Sequence, residues 1–210
     1  MHAMSQIALP LELPGSAETI VGGPSLYPVF AALQASETWP YRTAVLSGPA
    51  RSGKSLLARW FGASGAGDAI DDADRIDEVD LFHRWNRAQA QGHALLVVAA
   101  EPVALAGQNS GWHIALPDLA SRLGAALPLP IGAPDDDLLR ALIGEQARRR
   151  GLVVGDAVLD WLMPRIERSH AAAEVLVGTL DRLSLERKAP VTLALARDAL
   201  AGGTWQPRLL

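Results

Sequence analysis

Eight consecutive residues constrain this chain more than any others: Gly48-Pro49-Ala50-Arg51-Ser52-Gly53-Lys54-Ser55 fits GxxxxGK[ST] at every fixed position. Glycines at the two ends let the backbone curl so that successive amide N–H groups face inward, towards phosphate oxygens. Lys54 would reach the β/γ-phosphates as a point charge, Ser55 would hold Mg²⁺ through its hydroxyl, and the helix starting there would add its positive dipole end. The context has the required order of strand, loop and helix. Thr43 to Ser47 is a short apolar run suited to a buried parallel strand, and Ser55 to Phe61 continues with helix formers. The competing reading is a glycine-rich turn that happens to carry a lysine. Against it, the chain holds seventeen arginines and only two lysines, Lys54 and Lys188, so position 54 departs from the habitual cation. A compact ammonium enters a phosphate nest where a planar guanidinium does not fit.

The remaining composition limits what surrounds this loop. At 210 residues, 49% hydrophobic and 20% charged, the chain can bury one substantial core plus a small accessory domain. The absence of cysteine excludes disulfides and thiolate metal sites. No apolar run is long enough to span a bilayer, so no membrane association is expected and the location is expected to be cytoplasmic. A net charge of −4, with no basic cluster beyond Arg148-Arg149-Arg150, argues against direct sequence-specific DNA binding.

Alternating patterns up to residue 132 predict an α/β fold, a parallel sheet covered on both faces. Helices are expected over Ser25 to Glu37, Asp77 to Gln91 (Val79, Leu81, Phe82 and Trp85 inward) and Pro117 to Gly124. Strands are expected over Ala94 to Ala100 and Leu127 to Ile131. Asp71, in the acidic pair behind Ala69-Ile70, is a candidate Mg²⁺ ligand; its alternative is a solvated helix start. From Pro134 only helices are predicted: Pro134 to Arg150, Asp156 to Arg168, Ala171 to Arg187 and Thr192 to Ala201. The triplets Asp135-Asp136-Asp137 and Arg148-Arg149-Arg150 complement the macrodipole of the first of these. Three parts follow: an arm over residues 1–16, an α/β nucleotide-binding domain over 17–132 and a small helical domain over 133–210. The arm, Gln6-Ile7-Ala8-Leu9-Pro10-Leu11, is broken by proline. It suits either a linear peptide docking in another protein's groove or an arm folded on its own core.

A phosphate-loop α/β domain followed by a helical lid resembles the AAA+ ATPases, and several stretches resemble their DnaA-related branch. Val21-Gly22-Gly23-Pro24-Ser25 looks like that branch's box beside the adenine. Leu116-Pro117-Asp118-Leu119-Ala120-Ser121-Arg122-Leu123 looks like the box carrying its arginine finger, and the stretches 179–185 and 190–197 are similar to its lid. DnaA proteins carry a further DNA-binding domain behind the lid, whereas this chain stops at Leu210. Gln6 to Leu11 resembles the sliding-clamp peptide of the Hda-type regulators, which inactivate DnaA. The resemblance implies ADP or ATP bound by Val21, Gly22 and Gly48 to Ser55, with Mg²⁺ on Ser55 and Asp71. It also implies clamp binding through Gln6, Ile7, Leu9, Pro10 and Leu11, DnaA as partner, and Arg122 acting in trans on DnaA-bound ATP.

The chain departs from that pattern in three places. The span from Lys54 to Asp71 is too short for the usual extra strand and helix, so the sheet is expected to be one strand short. Ala99-Ala100-Glu101 stands where a polar sensor is usual, and Glu174 stands where the lid supplies a sensor arginine, with Arg168 the nearest cation upstream. Weak or no intrinsic hydrolysis is therefore expected. A generic AAA+ ATPase and a nucleotide-binding interaction module without catalytic effect are the alternatives, and homo-oligomerisation stays open.

Overall fold

In a computed structural model, residues 10–12, 19–21, 26–104 and 108–202 are described, the first two stretches by backbone alone. These residues divide into two compact units, residues 10–20 with 26–132 in one and Val21 with 133–202 in the other.

The first unit is a four-stranded parallel sheet. Its strands are β3 (Thr43–Ser47), β4 (Asp68–Ile70), β5 (Leu95–Ala99) and β6 (Leu127–Pro130), in the order β4-β5-β3-β6. Two further short strands, β1 (Pro10–Glu12) and β2 (Thr19–Val21), form a separate two-stranded sheet. β3 and β5 are buried along all five residues and pair in register from Thr43↔Leu95 to Ser47↔Ala99. That is why both read as unbroken apolar runs instead of alternating ones. Each fully buried Leu or Val there contributes about 1.5–3 kcal/mol.

Around the sheet lie α1 (Tyr27–Gln34), α2 (Lys54–Ala63), α3 (Glu78–Gln91) and α4 (Pro117–Gly124). α1 is shorter than its pattern predicts: the backbone leaves the helix at Ala35 and continues as a 3₁₀ turn over Ser36–Thr38. α3 is capped by Asp77, whose side chain accepts from the amides of Val79 (2.9 Å) and Asp80 (3.2 Å), and ends at Gly92 in the left-handed conformation. Its buried face is Leu81, Trp85 and Ala88, while Val79 is 51% exposed. Val79 therefore does not point inward: two residues from Leu81, it lies about 200° around the helix from it. Trp85 Nε1 donates to Thr43 Oγ1 (3.1 Å), fixing α3 to the first residue of β3.

Four residues separate α2 from β4 (Ser64 to Gly67), so the sheet has four strands among the described residues, with β4 at one edge and β6 at the other. The shortfall expected from the Lys54 to Asp71 spacing is present.

The second unit holds α5 (Asp136–Arg149), α6 (Asp156–Leu162), α7 (His170–Arg187) and α8 (Leu193–Ala201). Side chains of Asp135, Ser169 and Thr192 cap three of them, accepting from Leu138 N, Ala172 N and Leu195 N. α6 stops well short of Arg168. Pro164 enters a 3₁₀ turn over Met163–Arg165, because its ring removes a donor and clashes with the preceding turn. The core of this unit includes Leu139, Ile143, Leu162, Leu176, Val177 and Leu180.

Candidate functional site

The loop from Gly48 to Gly53 joins the C-terminal end of β3 to the N-terminus of α2. Two of its features demand glycine. A Cβ on Gly48 would lie 2.7 Å from the Ile131 carbonyl oxygen and 2.9 Å from its Cβ, and Gly53, which precedes the first helical residue, has φ 87°. Arg51 also adopts the left-handed conformation (φ 66°). Such reversals turn successive amides to one side and make an anion-binding concavity. The next residues open α2, whose first-turn amides have no acceptor within the helix and whose dipole is positive at that end.

Lys54 crosses back over this loop, its Nζ donating to the carbonyls of Gly48 (2.7 Å) and Pro49 (2.8 Å). Burial pulls its pKa below the ordinary lysine value, opposed by the charges of Asp71 first, then Asp74 and Asp72. Ser52 is 4% exposed and its Oγ has no hydrogen-bond partner. A buried hydroxyl left unsatisfied costs about 1–3 kcal/mol, so a native fold keeps one where another group is to meet it. Ser55 sits exposed in the first turn of α2. The glycine cradle, the orphan hydroxyl, the helix start and the lysine together fit the phosphates of a nucleotide. Among the described residues no group of three or more His, Cys, Asp or Glu could hold a metal. Mg²⁺ would share Ser55 and Asp71 with the phosphates, as this ion usually does.

Asp71 and Asp72 follow β4 on the exposed surface, Asp71 Oδ1 accepting from the Asp72 amide (3.0 Å). The sequence reading missed Asp74. Its Oδ2 accepts from Ala100 N (3.0 Å), while Ala100 O accepts from Gly48 N (3.2 Å). The segment after β5 is thus tied to both the acidic turn and the phosphate loop, though Ala99 and Ala100 offer no polar side chain. Ala99 is buried, and Glu101 turns away to accept from Gly111 N (3.1 Å). The only signal for Asp74 was its place in the run Asp71-Asp72-Ala73-Asp74.

Arg122 lies in the last turn of α4 and is half-buried. Its guanidinium carbon is 4.6 Å from the ring centre of Phe82 and 4.4 Å from that of Trp85, and its NH1 donates to Asn86 Oδ1 (2.5 Å). At the other end of α4, Glu78 accepts from the amides of Ala115 (2.9 Å) and Leu116 (2.6 Å). Helix α3 therefore holds α4 at both ends.

In the helical unit Arg168 makes a two-pronged contact with Asp136 (Nε–Oδ1 2.6 Å, NH2–Oδ2 2.8 Å), and Glu174 is half-buried on α7 with an interaction partner of its own. Val21 ends β2, and Pro10 and Leu11 lie in β1, paired with β2. Gly22, Gln6, Ile7 and Leu9 lie outside the described residues.

Residues 135–200 match the family model for the lid domain of Hda. A chromosomal replication initiator protein DnaA from Thermomicrobium roseum is 27% identical over 128 residues, covering 59% of this chain; the chain spans 25% of that relative's length. Domain III of the Thermotoga maritima replication initiation protein DnaA has a similar fold, with a TM-score of 0.65, 16% identity and coverage of 87% of this chain and 93% of that one. The replication initiator DnaA bound to AMPPCP and single-stranded DNA follows, with a TM-score of 0.59, 16% identity and coverage of 80% and 66%.

Proposed function

Taking as premise that this chain is a DnaA-related AAA+ protein of the Hda type, we propose that it regulates replication initiation as a clamp-tethered partner of DnaA. In this reading Gly48 to Ser55 bind ADP or ATP, with the adenine beside Val21 and Gly22. Ser55 and Asp71 share Mg²⁺, residues 6–11 dock on the sliding clamp, and Arg122 acts in trans on DnaA-bound ATP. The observation that carries it is the phosphate loop with its orphan Ser52 hydroxyl, on a chain whose helical unit matches an Hda lid.

The energetics permit Arg122 this role. Leaving its cradle forfeits two cation–π contacts, about 0.5–1 kcal/mol each where partly exposed, and one hydrogen bond. A guanidinium offered to the spreading charge of phosphoryl transfer contributes about 10³–10⁵ in rate, roughly 4–7 kcal/mol. The gain exceeds the loss. Hydrolysis by the chain's own loop is expected to be weak, because Ala99 and Ala100 offer no side-chain donor and Glu101 is turned away.

The test is hydrolysis of ATP on purified DnaA, with and without this protein and a DNA-loaded clamp. Stimulation needing both is expected; no stimulation with both present contradicts it. One observation favours a second reading, an interaction module without catalytic effect: Arg122 already has three partners in its own chain.

A further inference from the structure

Among the described residues no strand lies beyond β4, which leaves that edge of the sheet open. Asp68 N donates to Ala94 O (2.8 Å), so the backbone groups of Asp68 face β5. By the alternation of a parallel ladder those of Ile70 do too, which turns the N–H and C=O of Ala69 outward. Alongside runs a cleft of about 640 Å³ bordered by Ile70, Asp80, His83, Arg84, Arg87 and Gln91. Asp80, Arg84, Arg87 and Gln91 follow at four-, three- and four-residue steps and form one stripe of α3.

Arg84 and Arg87 differ from most of the arginines of the helical unit. There Arg140, Arg148, Arg168, Arg182 and Arg187 each meet a carboxylate. Among the described residues Arg84 and Arg87 meet none, and both are exposed. The carboxylate of Asp68, which also lines the cleft, is engaged by His93, its Oδ2 lying 3.1 Å from Nδ1. Because β4 leads through α3 to the parallel β5, α3 runs antiparallel to the strands. Arg87 and Gln91 therefore lie beside the start of β4, where Asp68 is held by His93, and Asp80 lies beside its end, so the two arginines stand towards one end of the cleft and Asp80 at the other.

We propose that this edge binds an extended acidic segment of a partner protein by strand addition, its backbone pairing with Ala69 and its carboxylates meeting Arg84 and Arg87. The spacings agree. Alternate side chains on one face of a strand stand about 6.6–6.8 Å apart, and helix positions three apart about 5–6 Å, within the reach of flexible guanidinium groups. Backbone pairing supplies general affinity and the two arginines supply the sequence preference, as in other cases of strand addition. Asp80 sets direction by disfavouring a carboxylate at its end. The occupant needs no nucleotide, so this inference stands or falls apart from the reading of the phosphate loop.

The test measures fluorescence anisotropy of a short labelled peptide alternating glutamate with valine, against counterparts carrying glutamine or lysine. The glutamate peptide is expected to bind at least about tenfold more tightly than the glutamine one, with the advantage shrinking as salt is raised. The double variant Arg84→Glu/Arg87→Glu should reverse the preference and select the lysine peptide, a result that a merely structural role for these arginines would not give. Ala69→Pro, which removes an outward donor that the sheet itself does not use, should weaken all the peptides alike while leaving the circular dichroism spectrum unchanged. Equal binding of glutamate and glutamine peptides, no binding of either, or an unreversed preference in the charge-swapped protein would overturn the proposal. So would sedimentation showing self-association that the same charge swap abolishes, which would assign the edge to a second copy of the chain.

Discussion

The helical unit pairs its charges close at hand, whereas the phosphate loop keeps polar groups in positions that cost energy. In the first, Asp135, Ser169 and Thr192 cap their own helices, Arg148 and Arg149 hold Glu145, and Arg168 holds Asp136. In the second, Ser52 Oγ is buried without a partner, Arg51 takes a left-handed backbone, and Lys54 has its pKa lowered by burial. The helical unit also buries two unpartnered polar atoms, Gln146 Oε1 and His170 Nε2, but on separate helices, whereas the loop gathers its departures within eight residues. Such breaches cluster where a protein is built to meet a ligand. The contrast can be attacked from either side.

The largest effect is expected in the helical unit. Leu180 is fully buried at the centre of its core, so Leu180→Ala should cost about 2–5 kcal/mol, read by urea denaturation. A loss below about 1 kcal/mol would mean that this unit is less tightly packed than its burial indicates. In the loop, Lys54→Ala should weaken binding of fluorescent ADP by about thirty- to a hundredfold, since it removes a charge-assisted contact worth roughly 2–3 kcal/mol. The stability of the nucleotide-free protein should hardly change, because the lysine's own partners are loop carbonyls.

Ser52→Ala sharpens the contrast, since the two properties should move in opposite directions. Deleting an unsatisfied buried hydroxyl should raise stability without nucleotide by about 1 kcal/mol and weaken ADP binding severalfold. Destabilisation would show that Ser52 is an ordinary structural serine.

The smallest effect is a pH dependence. Hydrogen bonds from Arg148 and then Arg149 hold the Glu145 carboxyl at about 2, below its ordinary 4.5. A depressed carboxyl contributes stability that is fully present above pH 4.5 and is lost as pH falls from there towards 2. Both arginines are largely solvated, which limits the contribution to about 1 kcal/mol. Glu145→Gln should remove that part of the acid limb in urea titrations, and an unchanged limb would assign it to other carboxylates.

How much of this was legible depended on how far apart in sequence the cooperating residues lie. The phosphate loop was readable because its parts are contiguous, and α4 because proline opens it and its apolar residues keep one period. β4 was readable as the place where a strand would be missing, because a short span cannot hold an extra strand and helix. The cradle of Arg122 was not readable. Phe82, Trp85 and Asn86 lie 36 to 40 positions away, on a helix whose pattern reports only which face is buried. Two ring contacts and a hydrogen bond give Arg122 a packing role that its place in α4 does not reveal. The early end of α6 at Pro164 was available from proline's chemistry but was outweighed by the apolar pattern. The β1–β2 pair left no signal, since three-residue strands, one beginning with proline, have too few positions to show alternation.

The central claim, that Arg122 acts on a partner's nucleotide, is tested most directly with Arg122→Met, which keeps much of the side chain's apolar packing against Phe82 and Trp85 and removes its charge. The measurement is the rate of ATP hydrolysis on DnaA in the presence of this protein and loaded clamp. The account predicts that the variant binds ADP like the parent and that stimulation falls by about 10³ or more, to the basal rate of DnaA. Undiminished stimulation by an Arg122→Met protein that still binds nucleotide would contradict it.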